Sequence, residues 1–169
     1  MHYNWYPTTG VDIPYMVELT KRNFEVEIDN IFTPDEVALS RNLTLATVKQ
    51  FFMPNDELLR IAKDSENKIL GYTWAVRNDR APWSDDEMVS IKLAHLELNL
   101  SIRSKVKLVT DMINIWENFA KNINVSIICS TTMRKDQHGF LKLHQKHGYD
   151  VRGSYAYKRL NTTQATPAN

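Results

Sequence analysis

Between Met88 and Thr131 the hydrophobic period of the chain changes twice, and that change limits the folds open to it. Met88–Leu98 alternates as a strand does. Val106, Val109, Met112, Ile113, Trp116, Phe119 and Ala120 then recur at about 3.6 residues, the period of a helix buried along one stripe. Val125–Thr131 is a solid apolar run, the pattern of a strand covered on both faces. A strand, a long amphipathic helix and a second strand make a central βαβ crossover, and strands joined that way lie parallel in one sheet.

The flanks add antiparallel material. His2–Thr8 alternates aromatic and polar residues and predicts a strand, with a turn at Gly10. Asp12–Asn23 predicts a helix, with Ile13, Met16, Val17, Leu19 and Thr20 near one face, and EVEIDN at 25–30 reads as a loop or a short extra turn. Pro34–Phe52 predicts a second helix. Thr33-Pro34-Asp35-Glu36 opens it with a cap, a first-turn proline and two acids, and Met53-Pro54-Asn55-Asp56 stops it. Glu57–Lys63 and Lys68–Asn78 form a hairpin around Asp64-Ser65-Glu66-Asn67. Beyond the apolar run, Asp136–His147 predicts a fourth helix ended by a left-handed Gly148, and Tyr149–Leu160 a closing strand. The class is α+β: a mixed, largely antiparallel sheet of six to seven strands flanked by four helices, in one domain over residues 1–160. The polar tail 161–169, NTTQATPAN, predicts disorder.

Composition removes several classes of function. A formal charge of +1, with no Lys/Arg cluster interleaved with aromatics, argues against nucleic acid as a partner. No apolar run approaches the roughly 20 residues of a membrane span. The start MHYNWYPTTG has neither a basic stretch nor an apolar one, so no secretory signal is expected. Cys129 is the sole cysteine, which excludes an internal disulfide and suits a reducing compartment, the cytoplasm.

One stretch breaks a rule. In LSIRSKVKLVTDMINIW (100–116), Arg103, Lys105 and Lys107 stack where the third helix begins. Free N–H groups and the macrodipole at that end favour anions and disfavour cations.

Three stretches, in this order, resemble the GCN5-related N-acetyltransferases (the GNAT family). KILGYTWAV (68–76) is similar to one of the family's strands. LELNLSIRSKVKL (96–108) resembles its strand-turn-helix, whose signature is Arg/Gln-x-x-Gly-x-Gly/Ala, and FLKLHQKHGYDVRG (140–153) is similar to its closing helix and strand. The resemblance implies acetyl-CoA as co-substrate, its pyrophosphate held by the backbone of Arg103, Ser104, Lys105, Val106, Lys107 and Leu108, with Gln137 also at the cofactor site. The misplaced cations then have a reason to be there: they meet a diphosphate at a helix N-terminus. The chain departs from the signature at both glycines, which Val106 and Leu108 replace, and glycine is what permits close backbone approach to phosphate.

The resemblance further implies transfer of an acetyl group to a primary amine of a small molecule or peptide, by direct attack in a ternary complex and without a metal. Such a reaction needs a base, an oxyanion donor and an acid for the thiolate. The family's pattern puts the oxyanion donor at the Leu98 N–H, with Asn99 and Leu100 along the pantetheine arm. It puts His144 where relatives commonly carry an acidic tyrosine. KLAHLEL (92–98) offers Glu97, then His95, as base; alternation places both on one face and Lys92 on the other unless a bulge intervenes. Acceptor selection would fall to Glu18, Glu25, Glu27 and Asp29, and to Asp85-Asp86-Glu87 beside Trp83, since carboxylates suit a cationic amine. An open sheet edge leaves room for a homodimer.

Other readings are weaker. His144-x-x-His147, with His138 or Cys129, lacks the second paired motif of a zinc site. No G-x-S-x-G elbow or P-loop is present. The main alternative is the same fold with its chemistry lost, a binding or assembly module such as a virus-encoded protein, which the missing glycines favour.

Overall fold

The computed structural model describes residues 2–27, 32–135 and 137–153, the side chain of Asn78 aside. β1 (Tyr3–Pro7), β2 (Glu57–Asp64), β3 (Ile69–Arg80), β4 (Glu87–Leu96) and β5 (Ile127–Ser130) lie side by side in that order. The first four are antiparallel; β4 and β5 are parallel. α1 (Ile13–Glu27) and α2 (Glu36–Phe52) separate β1 from β2, α3 (Ile102–Asn122) crosses from β4 to β5, and α4 (His138–Lys146) follows. The crossover is the one the change of period predicts.

Each face of the sheet carries its own core. Met16 and Leu19 of α1 and Leu43 and Ala46 of α2 pack on Leu59, Ile61 and Tyr72. On the opposite face, Leu108, Met112, Ile113 and Trp116 of α3 pack on Leu58, Ala75, Val89 and Ile91, with Phe140 and Leu143 of α4 at the margin. Trp116 is fully enclosed, and its Nε1–H donates to Thr73 Oγ1 at 2.8 Å, so its polar atom is satisfied.

Local chemistry fixes the turns. Asp64 Oδ1 accepts the N–H groups of Glu66 and Lys68 at 2.9 Å each, and Asn67 takes the left-handed φ of 61° that turns β2 into β3. Gly148, at φ 82°, ends α4: its N–H bonds to Gln145 O while Tyr149 N–H bonds to His144 O.

Several boundaries differ from those the sequence predicts. α1 continues to Glu27, so Glu25-Val26-Glu27 is helix and not loop, and residues 28–30 lie outside the described residues. α2 is capped by Asp35, whose carboxylate accepts Ala38 N–H at 2.9 Å; Thr33 is not the cap, and Pro34 precedes the helix. β4 stops at Leu96, and Glu97–Leu100 form a turn closed by the Leu100 N–H on Glu97 O. β5 is four residues long with Ile127 37% exposed, so the apolar run is not covered on both faces. Val125 owes its hydrophobicity to the α3 core and not to a strand position. Asp136 and residues 154–169, which hold most of the closing strand and the polar tail, lie outside the described residues. No described helix is long and apolar enough to cross a membrane.

Candidate active site

β4 changes sides part-way along. Val89 and Ile91 belong to the α3 core, and so do Ala94 and Leu96, because the extra residue Lys92 shifts the register between Ile91 and Leu93. Leu93 and His95 thereby face α1. Pairing with β5 stops at the same place, since Ile91 opposite Ser130 is the last pair. β4 runs on to Leu96 with no partner strand on that side among the described residues.

Alternation fixes which backbone groups enter this gap. Glu97 N–H bonds to Leu70 O of β3, so Ala94 and Leu96 point the other way. Side chains meet their carbonyls: Arg134 donates to Ala94 O at 2.6 Å and Asn23 to Leu96 O at 3.0 Å. Their N–H groups face the gap. A cavity of about 130 Å³ lies there, lined by Phe24, Leu93, His95, Thr132, Arg134 and Phe140.

Of the predicted bases, the cavity receives His95. It is 3% exposed, and neither ring nitrogen has a hydrogen-bond partner, which is exceptional for a buried imidazole. Burial, then the nearby Arg134 charge, push its pKa down to about 3, so the ring is neutral. Glu97 is also buried, but it is committed to Arg22, whose guanidinium lies at 3.2 Å. Lys92, the bulge residue, also lines the cavity and faces Asp79 at 3.7 Å.

His144 stands behind Phe140, its ring centroid 4.2 Å away. Its Nδ1 is 2.9 Å from Phe140 O and its Nε2 3.1 Å from Ser130 Oγ. A carbonyl only accepts, so Nδ1 carries the hydrogen and Nε2 accepts from the Ser130 hydroxyl. Burial lowers its pKa against the opposing pull of the Phe140 carbonyl. Any influence of His144 on the gap therefore passes through Ser130.

The start of α3 departs from the predicted cradle. Ser101 caps the helix, accepting Ser104 N–H at 3.2 Å, and Lys105 N–H already bonds to Ser101 O at 2.9 Å. Amides from Lys105 onward, including Val106, Lys107 and Leu108, are therefore spent inside the helix, and those open for an anion are Ile102 and Arg103. Leu108 is fully buried in the core, while Val106 is exposed. Lys107 sits over the Tyr3 ring at 4.7 Å. Arg103 and Lys105 enter no ion pair among the described residues. Gln137 is exposed at the N-cap of α4 and makes no cap bond.

No family model matches this sequence, and no curated protein sequence does. Solved structures match it along nearly its whole length. A predicted acetyltransferase from Clostridium acetobutylicum, solved with acetyl-CoA, superposes with a TM-score of 0.69 at 18% identity over 97% of this chain and 100% of that one. The fold is that of the GCN5-related N-acetyltransferases. An aminoglycoside antibiotic 6'-N-acetyltransferase from Acinetobacter haemolyticus gives 0.66 at 13% identity, covering 95% of this chain and 99% of that one. Glucosamine-6-phosphate N-acetyltransferase from Arabidopsis thaliana gives 0.65 at 9% identity, over 95% and 100%.

Within this GNAT fold, the acids predicted to select an acceptor are mostly answered by the chain's own arginines. Arg77 grips Glu87 through two bonds of 3.0 Å, Arg134 holds Glu27 at 2.6 Å, and Arg80 lies 3.8 Å from Asp85. Asp29 lies outside the described residues, and Trp83 is 87% exposed. Sequence reasoning missed Arg134, Ser130 and Asn23. Arg134 meets Glu27 across 107 residues and Asn23 meets Leu96 across 73, and no local pattern signals a contact of that span.

Proposed function

We propose that the protein is an acetyl-CoA-dependent N-acetyltransferase, passing an acetyl group to a primary amine of a small molecule or peptide in a ternary complex. The observation that carries this reading is the parting of β4 from β5 at Lys92, which leaves the Ala94 and Leu96 amides facing a gap. An extended pantetheine laid there bonds to the edge as an added strand. Arg103 and Lys105, with the first-turn amides of α3, take the diphosphate. Leu108 does not obstruct that seat, because its side chain is in the core.

In the gap, the amine's lone pair forms the C–N bond and a backbone N–H of the edge, or of Leu98 just beyond it, stabilises the oxyanion. The C–S bond then breaks and sulfur leaves with the electron pair. The nitrogen's surplus proton departs through His95 or a water bonded to it. The departing thiolate needs little help, since a thiol's ordinary pKa is about 8.5, and the Ser130 hydroxyl is already donated to His144. Glu97, turned to Arg22, stays out of this proton path.

Thermal unfolding with and without acetyl-CoA tests the reading. At a hundred times Kd, binding adds about 2.7 kcal/mol, or roughly 5–10 °C for a chain of this size. Lys105→Glu is expected to weaken binding roughly tenfold, about 1.4 kcal/mol. A second reading, a binding module without chemistry, draws on Arg134 and Asn23 already holding the carbonyls of the free edge. No thermal shift at millimolar acetyl-CoA would establish it over the first.

A further inference from the structure

A hydrogen-bonding ring is buried in the β4–β5 gap with nothing to bond to. Both nitrogens of His95 are orphaned although the residue is 3% exposed, and an orphaned polar group carries a desolvation penalty until a ligand or water relieves it. The cavity that His95 lines is unlike one built for an ammonium. Its charged lining residues are Lys92 and Arg134, both cations, facing Asp79 and Glu27 respectively. No carboxylate is among the lining residues described. Two opposed elements contribute aromatic rings, Phe24 from α1 and Phe140 from α4. The volume, about 130 Å³, compares with the roughly 150 Å³ of an apolar cavity that holds benzene.

We propose that the His95 end of the gap, beside the edge that the pantetheine takes, accepts an uncharged aromatic amine of the aniline type, its ring beside Phe24 and Phe140 and its N–H donated to His95. Binding stands on the cavity alone; that the bound amine is then acetylated rests on the acetyl-transfer reading above. In that step the aniline nitrogen bonds to the acyl carbon, sulfur leaves with its electron pair, and the surplus N–H proton passes by His95 to solvent. A charged amine of the same size would have to leave its hydration for a site that offers no counter-charge.

The experiment is a titration of the wild-type protein followed by long-range ¹H–¹⁵N NMR of the imidazole nitrogens, with and without CoA. Aniline is expected to shift the His95 signals saturably, whereas benzylamine, with a similar ring but a charged amine, leaves them in place. With acetyl-CoA, kcat/KM for aniline is expected to exceed that for benzylamine about tenfold or more. His95→Phe removes the preference and His95→Gln, which keeps an acceptor, restores part of it. Equal or stronger effects of benzylamine would overturn the proposal. So would an unmoved His95 signal in a protein that acetyl-CoA still stabilises, leaving the transfer reading intact. A saturable aniline shift without any acetyl-CoA effect would keep the binding site and remove the transfer.

Discussion

A single methyl group added at Gly71 tests how tightly the site is held from behind. A Cβ there would lie 2.7 Å from the His95 carbonyl oxygen and 2.8 Å from Leu96 Cδ2, against ordinary contacts of about 3.5–4 Å. The leucine can turn away, but the carbonyl is fixed in the ladder, where His95 pairs with Tyr72. β3 and β4 must therefore separate by roughly 0.5–1 Å. Overpacking of this kind costs about 1–3 kcal/mol. Alanine returns about 0.4–1 kcal/mol by restricting the unfolded chain. Gly71→Ala should thus destabilise by about 1–2 kcal/mol, lowering the melting temperature by roughly 3–8 °C. Urea unfolding followed by tryptophan fluorescence, with an unchanged slope, measures it. The displaced carbonyl belongs to His95, so that residue's imidazole signals should move as well. A midpoint at or above the parent's, with those signals unmoved, would refute the claim that the two strands have no slack.

Acid should weaken the fold through His95. Its folded pKa, pushed down to about 3, lies below the unfolded one, so below about pH 6.5 the unfolded chain binds a proton that the folded chain refuses. Stability is full above that pH and falls as pH drops toward 3, by up to about 1.4 kcal/mol per pH unit; His95→Phe should flatten the slope in urea titrations, and an unchanged slope would count against it. Asp12 adds a loss at lower pH: burial raises its carboxyl, but Lys63 and Thr9 together hold it below its usual value. Glu97→Gln should cost about 1 kcal/mol, modest because Arg22 is 42% exposed, and should leave the pH profile of turnover unaltered; a lost acidic limb would instead mark Glu97 as the base.

The sequence carried the architecture because periodicity reports burial directly. The stripe from Val109 to Ala120 is the α3 core, and Gly148 is the left-handed stop it promised to be. Its site was legible only in outline. His95 was a candidate, but the reason it is exposed to the gap is the bulge at Lys92, and a bulge leaves no periodic trace in one strand. The engagement of Glu97 by Arg22 joins residues 75 positions apart, which no window of residues contains. α3 starts within a residue of where the cations place it, but only the Ile102 and Arg103 amides are left open, because Ser101 caps the helix in a way that cations nearby do not disclose.

The residue inserted at Lys92 makes β4 a strand with two reading frames. Upstream, odd-numbered side chains serve the crossover layer; downstream, even-numbered ones do, and the odd ones turn toward α1. Deleting that one position would join Ile91 directly to Leu93 in unbroken register with Ala75 and Trp74, leaving His95 toward α1 and Leu96 toward α3. Both layers would survive that loss, and what would go is the local bend that a bulge gives the strand where its pairing with β5 ends.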